Sequence, residues 1–176
     1  GVTVDQLQGL LEILQEFESG ASSNYAGYEF PRMVWYLGKW IRHGDWYPDL
    51  KLRLFRKDLG HCGGQEPHAR TSVDGPVKRM KHHLFHYTYS SISDQIHTVD
   101  NFSSISARGR FEEKQTFRVV DLIFRPAYRF FRSYFLKRGF MDGLPGFIIA
   151  VTVSFGVFLK YAKIWEVSRG VSSQNP

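Results

Sequence analysis

The segment between Asp142 and Lys160 constrains the fold more than any other part of the chain, because its 17 residues carry no charged side chain. A membrane-spanning helix needs roughly 17–25 such residues, so this segment reaches only the lower limit. Three glycines and Pro145 interrupt it, which disfavours a spanning helix. Besides spanning, two alternatives stay open for residues 147–165: they lie on a lipid surface, or they pack on the domain through their apolar side chains. Those side chains are Phe147, Ile148, Val151, Phe155 and Phe158.

The residues before this segment are basic and aromatic. Seven lysines and arginines lie in 114–138 against the carboxylate of Asp121, so this stretch carries the whole net charge of +6. We expect a helix from near Pro126 to about residue 138, with its arginines on one stripe and its rings largely away from it. Such a helix suits an anionic membrane surface, and a solvated basic face is the alternative. The predicted membrane-binding residues are Arg125, Arg129, Arg132, Phe131 and Phe135.

Helical and extended patterns alternate along the rest of the chain, which predicts an α/β fold. Thr3 and Gln6 have capping-box spacing before a run of leucines, so a first helix should end near Gly20. Aromatic and β-branched residues predict a pair of strands within 25–41, and strict alternation predicts a half-buried strand within 50–56. An apolar content of 43% is enough for one folded domain and too high for a disordered chain.

The second half of the chain is predicted to be mostly helical. A strand at 84–89 should precede a helix that is capped by Ser91 or Ser93 and ends at Gly109, and a glycine-rich break is expected at 139–146. The apolar side chains predicted to face inward from this helix are Ile96, Val99, Phe102 and Ile105.

The segment 60–69 resembles a functional site more than any other, because its glycines, proline, histidines and Glu66 predict an irregular loop. A general base needs a carboxylate within hydrogen-bond reach of a hydroxyl, which Glu66 on a constrained loop can provide; a solvated surface charge is the alternative. His86 lies between two aromatic residues of a predicted strand. Two roles stay open for it: a ligand for a metal or a phosphate, or a buried structural histidine. The spacing of the histidines and the single Cys62 matches no standard zinc site.

Five sequence blocks in order resemble the C-terminal portion of bacterial family 2 glycosyltransferases, in a branch that acts in lipopolysaccharide core assembly. The resemblance runs from the first helix to about Glu166. It implies the C-terminal part of a GT-A (Rossmann-like) fold, with short strands and amphipathic C-terminal helices. The blocks are Trp46-Tyr47-Pro48-Asp49 with Leu52-Arg53-Leu54-Phe55-Arg56, Gly64-Gln65-Glu66-Pro67-His68, Leu84-Phe85-His86-Tyr87-Thr88-Tyr89, Arg138-Gly139-Phe140-Met141-Asp142-Gly143 and Phe158-Leu159-Lys160-Tyr161-Ala162-Lys163.

The resemblance implies an inverting transfer of a sugar from a nucleotide-sugar donor to a hydroxyl of a lipid-linked or oligosaccharide acceptor. Glu66 stands where the family has its general base. The leaving diphosphate is usually neutralised by Mg²⁺ or Mn²⁺ and nearby cations. Arg53, His68 and His86 are candidates to assist there, with His86 also a candidate metal ligand, and Trp46 is a candidate to stack on an acceptor sugar.

The chain also departs from the family pattern. The nucleotide-binding half of the family, with its Asp-x-Asp metal motif, would precede Gly1, and no such motif occurs in residues 1–176. We therefore expect these residues to lack the donor site and to be inactive alone. The predicted organisation is an acceptor-side part at 1–112, membrane-associating helices at 113–166 and a disordered tail at 167–176.

The expected location is the cytoplasm, peripheral to the inner membrane. Expected partners are the donor, the acceptor, a membrane surface and the missing N-terminal half. No compact nucleic-acid motif accompanies the basic residues, so a nucleic-acid partner is not expected. The alternative function is a non-enzymatic module in which the basic stretch binds a membrane surface or a polyanion and Glu66 performs no chemistry.

Overall fold

The computed structural model describes residues 4–20, 24–63, 70–113 and 117–169, and it divides the chain into two compact units. The first unit contains Gly1–Trp35 and Trp46–Thr88, and the second contains Tyr36–Asp45 and Tyr89–Pro176. The helix at 92–112 packs against a later helix of the second unit, and the predicted acceptor-side and membrane-associating roles of 1–112 and 113–166 stay predictions.

The first unit combines one helix with a mixed sheet and a separate two-stranded ladder. The elements of this unit are α1 (Val4–Glu18), β1 (Gly27–Tyr36, whose last residue belongs to the second unit), β3 (Asp49–Phe55), β4 (Gly60–Gly63), β5 (Arg70–Val73), β6 (Val77–Arg79) and β7 (Leu84–Tyr87). The short strand β2 (Lys39–Ile41) belongs to the second unit. Strand β1 pairs antiparallel with β3, from Gly27 opposite Phe55 to Arg32 opposite Asp49, and it pairs parallel with β6 and β7.

The core of the first unit lies between α1 and one face of the sheet. Ile13 of α1 packs with Tyr28 and Phe30 of β1 and with Met80. Alternation along β1 explains this arrangement, because residues two apart share a face of a strand.

Strand β4 corrects the prediction that residues 60–69 form an irregular loop, as far as the described residues extend. Residues 60–63 pair antiparallel with β5, from Gly60 opposite Val73 to Gly63 opposite Arg70. Backbone hydrogen bonds make this ladder, so no alternation of apolar side chains marks it in the sequence. The strands predicted within 25–41, 50–56 and 84–89 are confirmed as β1 with β2 (Lys39–Ile41), β3 and β7.

The second unit is built around three helices, of which α4 contacts both others. The helices are α2 (Ile92–Glu112), α3 (Val119–Phe131) and α4 (Gly143–Ser168), with a π-helical turn at Arg132–Leu136 and a 3₁₀ turn at Gly139–Asp142 between α3 and α4. Ala107, Tyr161 and Ile164 form a core cluster of this unit. Leu122 of α3 packs against that cluster.

Helix α2 begins as predicted, and its buried face was predicted only in part, because Ile96 and Val99 are half-buried and Val99 faces Gly156 of α4. The Asp94 backbone N–H donates a hydrogen bond to Ser91 Oγ at 3.1 Å, which selects Ser91 as the cap. The helix continues past Gly109 to Glu112, and Phe102 and Ile105 are exposed. Its buried side chains are Gln95, Ser103 and Ala107.

A buried polar network explains why this face of α2 points inward. The Tyr36 hydroxyl donates to Gln95 Oε1, and Gln95 Nε2 donates to Thr152 Oγ1 at 2.7 Å. A buried amide is favourable only when such partners satisfy it. Hydrophobic periodicity therefore cannot reveal this face.

Helix α3 begins at Val119, earlier than the predicted start near Pro126, so the proline lies inside the helix. An interior proline removes one backbone hydrogen bond, which packing must offset. The carbonyl of Pro126 accepts a 2.7 Å hydrogen bond from Ser154 Oγ of α4, while Leu122 packs against the core cluster. These contacts to α4 explain how the helix continues through the proline.

The glycines of the predicted break at 139–146 allow a close backbone approach instead. A Cβ on Gly146 would lie 2.0 Å from the Gly139 carbonyl oxygen, and a Cβ on Gly139 would lie 2.7 Å from the Ser133 carbonyl oxygen. Only glycine fits at such distances. The first turn of α4 therefore packs directly against the preceding 3₁₀ turn.

Replacing Gly146 with alanine should destabilise the second unit, whereas the same change at Gly109 should stabilise it. Relieving the backbone clash at residue 146 should cost about 1–3 kcal/mol. A Cβ at Gly109 meets nothing within 4 Å, and alanine in a helix interior is about 1 kcal/mol more favourable than glycine. Denaturant unfolding measures both changes. Equal stabilities of the two variants would contradict the described packing at the start of α4.

Candidate functional site

The first unit carries a cleft of about 640 Å³ along β3. Its walls are mostly polar and charged, and they include Arg53, one of the predicted site residues. The lining residues are Glu29, Arg32, Asp49, Leu50, Lys51, Leu52, Arg53 and Thr71. The register of β1 and β3 places Arg32 opposite Asp49, so the sheet itself positions this pair.

Positive charge is in excess in this cleft. Asp49 pairs with Arg32 at 2.5 Å and with Lys51 at 3.1 Å, so one carboxylate serves two cations. Glu29, the other carboxylate of the lining, is engaged by Arg79 at 2.9 Å. The arrangement is suited to an anionic or polyhydroxyl group, because charged donors already stand in a concave site.

His86 lies on β7 beside Val34 of β1 and is half-buried. Burial lowers the pKa of its imidazole, the nearby guanidinium groups of Arg32 and Arg53 lower it further, and Asp49 opposes them. The ring is therefore neutral at pH 7, with one nitrogen that donates and one that accepts. The structure thus brings His86 and Arg53, both predicted site residues, into one electrostatic neighbourhood.

The described residues around His86 do not fit a divalent cation. Within 4–20, 24–63, 70–113 and 117–169, no group of three or more His, Cys, Asp and Glu side chains is placed to hold a metal ion. Two guanidinium groups next to the imidazole also repel a cation. The predicted metal role of His86 thus stays a prediction that needs donors from outside these residues.

Glu66 and His68 lie outside the described residues. The described residues on either side of that segment are partners in the β4–β5 ladder, where Gly63 pairs with Arg70. Thr71, the residue after Arg70, lines the cleft along β3. The two residues that flank the segment 64–69, Gly63 and Arg70, are therefore paired with each other at the end of the ladder next to the cleft.

Trp46 and Tyr47 come between the second unit's Asp45 and strand β3. Trp46 is half-buried, and its predicted stacking on a sugar stays a prediction. Tyr47 is used within the first unit, since its ring stacks on His83 at a centroid distance of 5.9 Å and its hydroxyl lies 2.9 Å from His83 Nε2.

Asp45 is a functional candidate that sequence reasoning missed. Its side chain is only 3% exposed and meets three cations of the second unit: Arg129 Nε at 2.8 Å, Arg132 Nη1 at 2.9 Å and Lys137 Nζ at 2.8 Å. Arg125 pairs with Asp121 at 2.5 Å. The three arginines predicted to bind a membrane thus hold carboxylates as well, although each stays partly exposed.

Asp142 fixes a second connection within the same unit. Its buried carboxylate accepts hydrogen bonds from the backbone N–H groups of Arg42 and His43, at 3.0 and 2.8 Å, and lies 3.2 Å from His43 Nδ1. The segment before Asp45 is thereby tied to the turn that begins α4. A lone aspartate among glycines gives no sequence signal for such a long-range contact.

Helices α3 and α4 expose a large apolar surface. Six side chains of α4 at intervals of three, four or seven residues are 40–70% exposed, and Phe147 among them meets the rings of Phe130 and Tyr134. Those of α4 are Leu144, Phe147, Val151, Phe155, Phe158 and Trp165, and those of α3 and the following turn are Val119, Val120, Ile123, Phe124, Tyr128, Phe131, Phe135 and Leu136. Apolar patches of this extent mark interaction surfaces.

Exposure of the α4 stripe bears on the two alternatives for 147–165. Phe147, Val151, Phe155 and Phe158, which one alternative buries in the domain, are each about 40% exposed. The helical stretch Gly139–Ser168 is long and apolar enough to cross a membrane, and within its most apolar part 28% of the residues are buried. The exposure of these four side chains does not agree with their burial in the domain.

Comparison with known proteins connects these features to sugar transfer. The chain is 29% identical over 161 residues to the lipopolysaccharide core biosynthesis glycosyltransferase LpsC of Rhizobium meliloti, covering 90% of this chain and 59% of that protein. The chain is similar to glycosyltransferases. Uncharacterized glycosyltransferases RT0209 of Rickettsia typhi and RP128 of Rickettsia prowazekii are 27% and 26% identical, over 82% and 86% of this chain and 49% and 50% of their own lengths.

These relatives are longer than this chain. The chain spans about half the length of the curated relatives it matches. No protein-family model and no solved structure matches it. The relatives favour an enzyme of sugar transfer over the non-enzymatic alternative.

Replacing Asp45 with asparagine should lower the free energy of unfolding by about 3 kcal/mol, because removing one partner of a buried pair leaves uncompensated charge. The matched control is Asp58→Asn. Asp58 pairs with Arg56 at 2.8 Å, but both side chains are more than half exposed, so this change should destabilise the protein far less than Asp45→Asn. Urea unfolding of both variants measures the difference. Similar small effects of the two changes would contradict the central role of Asp45.

Proposed function

We propose that this chain is the acceptor-side part of an inverting, family 2-like bacterial glycosyltransferase. It moves a sugar from a nucleotide-sugar donor to a hydroxyl of a lipid-linked or oligosaccharide acceptor. The observation that carries the proposal is the similarity to LpsC along 90% of the chain, together with a cationic cleft on the first unit that is lined by Arg53, whose charge also acts on His86. The implied fold is the C-terminal part of a GT-A domain.

Glu66 is the proposed general base. In an inverting transfer, its carboxylate takes the proton of the acceptor hydroxyl as that oxygen bonds to the anomeric carbon, and the bond from this carbon to the diphosphate breaks with both electrons leaving on the diphosphate. The hairpin end at Gly63 and Arg70 supports this role, because it ties the segment carrying Glu66 to the strand whose Thr71 lines the cleft.

The cleft would bind and orient the reacting groups. Arg53, with Arg32 and Lys51, offers positive charge to phosphate oxygens of the leaving group or of the acceptor. The neutral imidazole of His86 can donate or accept a hydrogen bond with a sugar hydroxyl. We assign His68 to the same phosphate-binding role, and Trp46 to stacking on an acceptor ring.

The donor site would come from sequence outside this chain. The relatives are about twice as long, and the exposed leucine face of α1 offers an apolar surface for that part. The members of this face are Leu7, Leu10, Leu11 and Leu14. We assign the Mg²⁺ or Mn²⁺ of the reaction to donors there, and we expect the 176 residues alone to be inactive.

The second unit would hold the enzyme against the cytoplasmic side of the inner membrane. Its exposed apolar surface on α3 and α4 supports this placement, since lipid rather than water then covers those side chains. A lipid-linked acceptor would lie in the same membrane, which raises its local concentration at the enzyme.

Replacing Glu66 with glutamine in the full-length protein should reduce kcat by about 10²–10⁴-fold, because the amide cannot take the acceptor proton. Transfer is measured with a panel of radiolabelled nucleotide sugars and with extracted lipopolysaccharide-core lipid as the acceptor. Nucleotide-sugar binding should be unchanged. The matched control is Glu18→Gln, an exposed residue at the end of α1.

Full activity of the Glu66→Gln protein would exclude Glu66 as the base. Absence of any sugar transfer by the wild-type full-length protein over the whole donor panel would contradict the proposed function itself. Activity of the isolated 176 residues would contradict the assignment of the donor site to another part of the protein.

A further inference from the structure

We propose that the side chains around Tyr161, namely Arg110, Arg125 and Lys160, form a binding site for the phosphate group of an anionic membrane lipid. This site rests on the membrane placement in the proposed function and goes beyond it, since it names the lipid chemistry that the second unit recognises. It is distinct from the cleft along β3, because all of its residues belong to the second unit.

Three cations from three different helices meet at one ring. The Lys160 ammonium lies 4.8 Å from the centroid of the Tyr161 ring, the Arg125 guanidinium carbon 5.5 Å and the Arg110 guanidinium carbon 5.9 Å. Tyr161 itself is buried, so the packing of α2, α3 and α4 holds the cations together. Such convergence is expected where an anion binds.

The carboxylates that the described residues place nearby pair with cations other than Lys160. Asp121 pairs with Arg125, and Asp45 is already shared among three cations that include Arg129. Among the described residues, no carboxylate forms an ion pair with Lys160. Burial, then Arg110, Arg125 and Arg129, lower the pKa of Lys160 to about 8, with Asp121 opposing them.

A phosphate group fits this charge arrangement. Guanidinium groups bind phosphate oxygens through two parallel N–H donors, and an ammonium adds a third direction of approach. Bringing several cations together costs free energy in the absence of an anion. A bound phosphate would recover that free energy and keep Lys160 protonated.

The place of Lys160 on α4 favours a lipid as the source of the phosphate. Lys160 follows Val151 of the exposed apolar stripe by nine residues, which at 100° per residue puts it on the opposite side of the helix. A helix is about 10–12 Å across, and an interfacial helix buries its apolar side by about 5–10 Å. The side that carries Lys160 then lies at the level of the lipid headgroups.

The test measures binding of the 176-residue chain to vesicles of phosphatidylcholine alone and of phosphatidylcholine with phosphatidylglycerol, at fixed ionic strength. The variant is Lys160→Gln. The matched control is Lys163→Gln on the same helix, where the ammonium is already bound to Asp100 and Ser104. Thermal unfolding is recorded for each protein to verify folding. Lys160→Gln should be at least as stable as wild type, because it removes a half-buried charge without a carboxylate partner.

The site predicts tighter binding to the anionic vesicles and a roughly fivefold loss of that binding in Lys160→Gln, the effect of about 1 kcal/mol from one cation at a lipid surface. Lys163→Gln should change it less than about twofold, and neither change should alter binding to phosphatidylcholine. Equal losses in the two variants would overturn the site, because they would indicate only general charge attraction.

A calorimetric titration with inorganic phosphate and with a nucleoside diphosphate separates the two sources of phosphate. Weak binding that is unaffected by Lys160→Gln agrees with a lipid ligand. Tight binding that Lys160→Gln abolishes would overturn the lipid assignment in favour of a soluble ligand. If the wild-type chain binds neither kind of vesicle, the site and the membrane placement are both wrong. If only the site is wrong, the wild-type chain still binds vesicles, and Lys160→Gln lowers this binding no more than Lys163→Gln does.

Discussion

The ion pairs of Asp45 organise the second unit. A carboxylate that is 3% exposed joins Arg129 at the end of α3, Arg132 in the π-helical turn and Lys137 just after it. A single buried charge can hold three cations only because each of them keeps part of its hydration. With the hydrogen bonds of Asp142, this contact ties residues 42–45 to both ends of the turn between α3 and α4.

This arrangement separates two kinds of surface on the second unit. Arg129 of α3 pairs with Asp45, and Arg125 of α3 contacts the ring of Tyr161. The aromatic rings of α3 and the apolar stripe of α4 are exposed. Apolar side chains on one side and cations on the other are what an interfacial helix pair needs. In the first unit, charged residues lie instead on the paired strands β1 and β3, where the cleft and the nearby His86 supply polar groups suited to sugars and phosphates.

The sequence predicted those strands and that helix cap which depend on residues close together in the chain. β3 follows from alternation, β1, β2 and β7 follow from aromatic and β-branched content, and Ser91 was one of two predicted caps. The ladder of β4 and β5, the buried face of α2 and the start of α3 depend on partners far along the chain, such as Thr152 for Gln95 and Ser154 for Pro126.

The sequence likewise predicted some residues of the candidate site and missed others. Arg53 and His86 lie in one electrostatic neighbourhood, and the roles that the family resemblance implies for them stay predictions. The partners of Arg32 and of Asp45 depend on strand register and helix packing that no short motif records.

The central claim of this account is that α4 lies along the membrane with one side in lipid. Nitroxide labels placed singly at residues 144–158, in a chain with Cys62 replaced by serine, measure this through their accessibility to oxygen and to a water-soluble nickel complex on anionic vesicles. The account predicts an oxygen accessibility that oscillates with a period of about 3.6 residues and is highest at Leu144, Phe147, Val151, Phe155 and Phe158. High oxygen accessibility without oscillation, or high nickel accessibility at those five positions, would contradict it.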